Sequence, residues 1–282
     1  MPTNAQFAVG ELVTAADANT LFTRGYQNRI INGAFVINQR GYTSGTNLAS
    51  GSYGFDRWKS GFTNTALTFT AGSQSTTVTI STSGVLQQIV ERENMPAGTY
   101  VLSWSGTATG RVYNSGATPP SYAASPITVT LDGLANVVVE FTASGSTKTL
   151  GTVQLEAGTV FSPFEYRQRA AELLLCQRYY QVWTSNATGT VMMVGYADGA
   201  GTAGSFNRPI IPNMRVAPTN SYSGVIYATD FSVYRQLTAL TSDRNTVDTF
   251  TTIPSYSGGT LNASRVAFIY GTGGNITLSS EL

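Results

Sequence analysis

Paired carboxylates and a run of tyrosines are the residues of this chain whose types and spacing could do chemistry. Cleaving a glycosidic bond takes two placed carboxyl groups flanking that bond. Asp56 with Glu91 or Glu93, and Asp198 with Asp230, are the pairs on offer. Fifteen acids over 282 residues supply such pairs by chance, so they read as surface or turn residues. Holding a glycan takes different groups: aromatic faces for the apolar side of a sugar ring, and amides, carboxylates and hydroxyls to fix its orientation. The C-terminal part carries Tyr196, Tyr222, Tyr227, Phe231 and Tyr234 close to Asn, Asp and Thr. Tyr196, Asp198, Tyr222, Tyr227, Asp230 and Tyr234 are therefore the candidate glycan-binding residues. A single aromatic is more often core than site, and Trp58 and Trp104, in regular strand patterns, read as core.

Other chemistries lack their parts. The chain has no His, the commonest general base and metal ligand. Its one cysteine, Cys176, excludes an intrachain disulfide and a thiolate cluster. Serine hydrolysis has neither a His partner nor a G-x-S-x-G elbow. The glycines at 271 to 274 lack the Lys and the following helix of a phosphate loop. Asn32, Asp56 and Glu156 could offer oxygens to a structural Ca²⁺, but they follow no spacing rule. The expectation is no enzyme, no cofactor and no metal.

Composition narrows the class. Charged residues make up 11% and apolar ones 41%, and the net charge is +1. That is enough apolar material for real cores, with a surface built on hydroxyls and amides. Nothing in it marks nucleic-acid binding, and no apolar run reaches the length of a membrane span. The first 25 residues do not read as a signal peptide, so synthesis in a reducing cytoplasm is expected.

The elements that must position the candidates are mainly strands. A short helix is expected within residues 14 to 28. Thr14-Ala15-Ala16-Asp17 fits an N-terminal cap signature, and Val13, Ala18, Leu21, Phe22 and Tyr26 form a short apolar stripe. Such a helix is marginal alone and needs a partner surface. Residues 31 to 166 alternate as short β runs, which predicts a two-sheet sandwich of jelly-roll type. "RQRAAELLLCQRYYQV", within 167 to 182, is rich in helix formers and reads as a linker helix. Residues 183 to 282 return to β and predict a second, smaller β-sandwich. The fold class is thus all-β in the main.

Three stretches carry a resemblance. "NRIINGAFVINQRG" at 28 to 41, with "GSYGFDRW" at 51 to 58, resembles the start of the jelly-roll domain in bacteriophage tail fibre and tail-associated receptor-binding proteins. "VQLEAGTVFSPFEYR" at 153 to 167 and "AELLLCQRYYQVW" at 171 to 183 are similar to the end of that domain and the helix after it. "NMRVAPT" at 213 to 219 and the terminal "SSEL" resemble the small β domain beyond. On the residues, Asn32-Gly33 would make a tight turn, and Phe35 and Ile37 would fill one face of a first strand. Trp58 would pack from a second strand, and Asp56 with Arg57 would pin a loop.

The resemblance implies a virion protein assembled in the host cytoplasm and working in the tail as a homotrimer. Residues 1 to 30 would attach it to other tail proteins, and residues 183 to 282 would meet host surface polysaccharide. No nucleic-acid partner and no membrane insertion are expected. The alternatives are a purely structural adaptor, baseplate or decoration protein, and a secreted glycan-binding module or glycan-degrading enzyme.

Overall fold

The computed structural model describes residues 27 to 201 and 204 to 282. The helix expected within 14 to 28, and with it Val13, Ala18, Leu21, Phe22 and Tyr26, lies outside them. The chain divides into two compact units, Met1–Glu172 and Leu173–Leu282.

The first unit is built from ten strands among the described residues: β1 (Asn47–Leu48), β2 (Lys59–Ser60), β3 (Thr65–Phe69), β4 (Val78–Ile80), β5 (Val85–Val90), β6 (Gly98–Gly106), β7 (Thr109–Asn114), β8 (Ile127–Leu131), β9 (Val137–Thr142) and β10 (Lys148–Ala157). They make two antiparallel sheets, ordered β1-β3-β4-β10-β6-β8 and β2-β5-β9-β7. From β4 to β10 each successive strand lies in the other sheet. The side chains that point inward from the two sheets fill the space between them. Val137, Val139 and Phe141 of β9 face the core, with Leu102 and Trp104 of β6 and Leu150 and Leu155 of β10. Trp58 is fully buried at the centre, and Phe35 lies on it at 4.9 Å between ring centroids. Its indole N–H donates to the Asn32 carbonyl at 2.9 Å, so the one polar atom of the ring is satisfied.

The stretch 28 to 41 is not the first strand. It runs as turns and irregular chain, and the first strand among the described residues is β1. Asn32 explains why. Its side-chain oxygen accepts from the N–H groups of Val36 and Ile37, and its amide donates to the carbonyls of Ile37 and Asp56. Backbone groups that a neighbouring strand would have paired are taken by one side chain. Asn32 itself, at φ 58°, takes the left-handed conformation rather than Gly33. Gly33 is required for a different reason: a Cβ there would lie 2.2 Å from the Val153 carbonyl oxygen. The two segments touch at that point, with the Val153 N–H donating to the Gly33 carbonyl at 2.9 Å.

One α-helix is seen among the described residues, α1 (Arg169–Gln177). It is shorter than the helix expected over 167 to 182. Glu172 in its first turn accepts from the backbone N–H of Asn32 and pairs with Arg167 at 3.3 Å. Beyond Gln177 the aromatic and β-branched run "YQVWT" pairs as a strand, because a partner strand is present and such side chains fit a pleated surface.

The second unit holds β11 (Tyr180–Thr184), β12 (Thr190–Ala197), β13 (Gly204–Pro209), β14 (Thr219–Ser223), β15 (Ile226–Thr229), β16 (Tyr234–Ser242), β17 (Thr249–Tyr256), β18 (Val266–Gly271) and β19 (Asn275–Ser279). Instead of the expected second sandwich, six strands close into a barrel in the order β12-β13-β17-β16-β15-β18, and β11-β19-β14 form a separate three-stranded sheet. Closure follows from β18, which pairs with β12 on one side and β15 on the other. Small inward residues, Ala197, Ala228 and Ala267, let the wall curl around Phe206, Phe250 and Ile269. A closed wall leaves no unpaired edge.

Candidate functional site

Strand alternation decides the site as it decides the core. On β18, Ala267, Ile269 and Gly271 are buried and face in, so Val266, Phe268 and Tyr270 face out. On β15, Ile226 and Ala228 face in and Tyr227 faces out, directly opposite Tyr270. On β12, a register shift between Val191 and Met193 adds one residue to the strand. Such a bulge puts Val191 and Val194 on the same outer side despite their spacing. Val194 then stands opposite Phe268, and Tyr196 opposite Val266.

The rings meet on this wall. Tyr227 and Tyr234 lie 6.0 Å apart, edge to face. Tyr234 meets Tyr270 at 5.8 Å, and Phe231 meets Phe268 at 4.7 Å. Phe231 is 52% exposed, Tyr234 46% and Tyr196 60%. Among the described residues, no hydrogen-bond partner takes the phenol hydroxyls of Tyr196, Tyr227 or Tyr234, while that of Tyr270 reaches the Thr188 carbonyl. The wall thus offers ring faces together with free hydroxyl groups.

Asp230 builds the edge of this wall. One of its oxygens accepts from the N–H of Ser232 at 3.0 Å, the N–H of Val233 at 2.9 Å and the Ser232 hydroxyl at 2.7 Å. The other accepts from the Asn262 side-chain amide. Burial alone would raise this carboxyl, but the hydrogen bonds of Ser232, Asn262 and the backbone outweigh it and hold it well below the usual carboxylate range. Asp230 therefore stays charged and holds a turn in which Phe231 takes φ 66°. A bulky residue there is an outlier that its surroundings must hold in place. What holds it is this turn, and the result is a ring presented on the outer wall.

Of the six residues singled out in the sequence, Tyr227, Asp230 and Tyr234 come together here, and Tyr196 lies on the same outer wall two strands away. Tyr222 does not join them: it sits on β14, packs on the core and donates to the Leu237 carbonyl at 3.3 Å. Asp198 shapes the turn after β12, its carbonyl accepting from Gly201 and Ser264. Its charge adds to burial in raising the Tyr256 phenol. Phe268, Tyr270 and Asn262 were missed. The signal was the alternation in "RVAFIYG", where three large side chains share the face opposite Ala, Ile and Gly.

The other acids are engaged. Asp56, fully buried, accepts from the backbone and side chain of Gln39 at 2.6 and 2.7 Å. Glu156 is held by Gln154 and Ser162. Among the described residues no group of three or more His, Cys, Asp or Glu is placed to hold a metal ion. A further cluster centres on Glu140 of β9, fully buried. Arg111 donates to it at 2.7 Å, Gln87 and Tyr122 add hydrogen bonds, and the guanidinium lies 4.2 Å from the Tyr122 ring. Every acceptor site there is answered from within the protein, which makes it a strut for the β5-β9-β7 face.

No family model and no curated protein matches this chain. Among solved structures it is similar to a cycloisomaltooligosaccharide glucanotransferase from Paenibacillus sp., with 11% identity and a TM-score of 0.24, covering 83% of this chain and 47% of the other. It is also similar to discoidin II from Dictyostelium discoideum, with 10% identity and a TM-score of 0.20, covering 92% and 93%. The chain thus spans about half the length of the glucanotransferase. At such TM-scores neither likeness carries an argument.

Proposed function

We propose that this chain is a bacteriophage tail-fibre component that binds host surface glycan through the outer wall of its C-terminal barrel. The observation that carries the binding is the ring cluster Tyr227, Phe231, Tyr234 and Tyr270, with the phenol hydroxyls of Tyr227 and Tyr234 unshared among the described residues and with Asp230 and Asn262 at its edge. Stacking of sugar faces on rings, with polar groups fixing the orientation, suits that arrangement. The virion assignment rests on the sequence resemblance. The alternation of strands β4 to β10 between two sheets supports reading the first unit as a jelly roll. A helix at the boundary of the units supports the linker role. The same reading makes the working form a homotrimer, attached by residues 1 to 30 and assembled in the host cytoplasm, that binds without hydrolysing.

The test is a full-length chain with Phe231→Ala and Tyr234→Ala, labelled and offered to bacterial cells and their purified surface polysaccharides. Loss of binding by about tenfold per ring is expected, since each ring supplies about 1.4 kcal/mol, with the fold retained. Binding equal to the parent chain's would sink the reading. A second reading, a structural adaptor, is favoured by Val191, Val194 and Val266, which extend the patch with aliphatic surface of the kind that packs on protein. It predicts that the double variant fails to assemble rather than fails to bind sugar, which light scattering separates.

A further inference from the structure

Beside the aromatic wall, and sharing Val191 and Val194 with it, runs an open groove of about 590 Å³ between β11 and the β12-β13 hairpin. Arg208 lies in its lining. The guanidinium sits 4.3 Å from the Trp183 ring centroid, and one of its nitrogens donates to the Met192 carbonyl at 3.2 Å. Burial lowers the pKa of Arg208, yet a guanidinium stays charged in any protein. Among the described residues no carboxylate pairs with it. Every other group named in the lining is neutral.

A half-buried cation without a counter-charge is costly, because the Trp183 ring face and one carbonyl replace only part of the water it has lost. Its charge asks for an anion, and its unused N–H groups form a fork suited to a planar two-oxygen acceptor. Only one cation is present, which matches a single negative charge. A carboxylate carries one, whereas a phosphate monoester carries nearly two at neutral pH. Val191 and Val194 supply exposed apolar surface, and Thr184, Thr190 and Asn207 supply hydrogen-bonding groups for hydroxyls. Groove size is within the range of small-ligand sites.

We propose that this groove binds the carboxylate of an acidic sugar, a hexuronate unit, with Arg208 as its partner, so that the glycan recognised by the barrel is an acidic polysaccharide. The proposal rests on the glycan-binding reading above and deepens it. The groove takes the charged unit, while the wall takes neighbouring ring faces.

Calorimetric titration of the full chain with a hexuronic acid hexasaccharide, and with the same hexasaccharide after reduction of its carboxylates to alcohols, tests it. The charged oligomer should bind at least tenfold more tightly than the reduced one. Arg208→Gln should remove that preference while leaving the reduced oligomer's affinity within twofold. Should Arg208→Gln fail to fold, judged by thermal unfolding, Asn207→Asp gives the same reading. It adds a negative charge at the exposed groove rim and should weaken the charged oligomer at least fivefold more than the reduced one. Equal binding of the two oligomers by the parent chain, no binding of the charged one at millimolar concentration, or an unchanged preference in the folded variants overturns the proposal. Phe231→Ala in the same titrations keeps the two ideas apart. If it abolishes binding while Arg208→Gln changes nothing, the aromatic wall stands as the glycan site and the groove assignment falls. If Arg208→Gln abolishes the preference and Phe231→Ala changes nothing, the groove stands and the wall falls.

Discussion

In the first unit the aromatic rings meet one another inside the sandwich. Phe35 lies on Trp58, Phe55 meets Phe35 at 5.7 Å, and Trp104 meets Phe141 at 5.0 Å, all of them buried. In the second unit a comparable cluster of rings lies on the outside of the barrel, and small or aliphatic residues face in beside Phe206 and Phe250. The first unit uses its rings to fill its core, whereas the second carries a ring cluster half-exposed to solvent. A sandwich has a thick space between two sheets, and large rings fill it. A six-stranded barrel has a narrow interior that alanines suit, so large residues of alternate positions are left outside.

The comparison is tested most severely at its centre. Trp58→Ala should cost the first unit about 3–5 kcal/mol through lost burial and a cavity. Hydrogen exchange should show protection lost across residues 28 to 166 and kept across 180 to 280. Uniform loss would mean that the two units unfold as one and that the contrast between them is not energetic.

Asn32→Ala should come next, at about 2–4 kcal/mol. It removes four hydrogen bonds and leaves buried backbone groups unpaired. Denaturant unfolding measures it. A loss below 1 kcal/mol would show that water replaces the side chain and that the 28 to 41 segment is not organised by it.

A pH experiment sharpens the contrast further. Burial first, then the hydrogen bond to Glu140 and its charge, push the Tyr122 phenol well above its ordinary value of 10.0. The folded state therefore favours the neutral phenol. Its contribution is complete below about pH 10 and is lost as pH rises toward the folded value. The midpoint of urea unfolding should fall between pH 9 and pH 11 in the parent chain, and fall less in Tyr122→Phe. Parallel curves would remove Tyr122 from the account.

The smallest effect on stability is expected at Phe231. Half-exposed, it rests on Phe268 alone at close range, so Phe231→Ala should lower stability by about 1 kcal/mol while lowering glycan binding about tenfold. A melting temperature that drops as far as that of Trp58→Ala would place Phe231 in the core after all and erase the distinction drawn above.

How much of this was legible differs by level. The alternation in "GTYVLSWS" and "PITVTLDG" showed strands of the first unit, and Trp104 as core, because burial on one face of a strand writes a period of two into the sequence. "RAAELLLCQ" showed the helix, but not where it ended, since "RYYQV" changes state only because a strand at 275 to 279 pairs with it. Tyr227, Asp230 and Tyr234 were visible as neighbours in sequence. Tyr222, as close to them along the chain, belongs to another sheet.

By itself, the sequence determined the composition of the elements: strand-forming runs, two helix-forming runs, a surface with few charges, and no histidine or cysteine pair. These are local or additive properties, and they survive without knowing what touches what. Tertiary structure alone decided that the second unit closes into a barrel, that Tyr270 stands beside Tyr227 and Tyr234, and that Arg208 meets Trp183 with no carboxylate beside it among the described residues. Each depends on strand pairing between residues tens of positions apart. Such pairing is fixed by the register of whole strands, and a one-residue slip would have turned every one of these side chains to the other face.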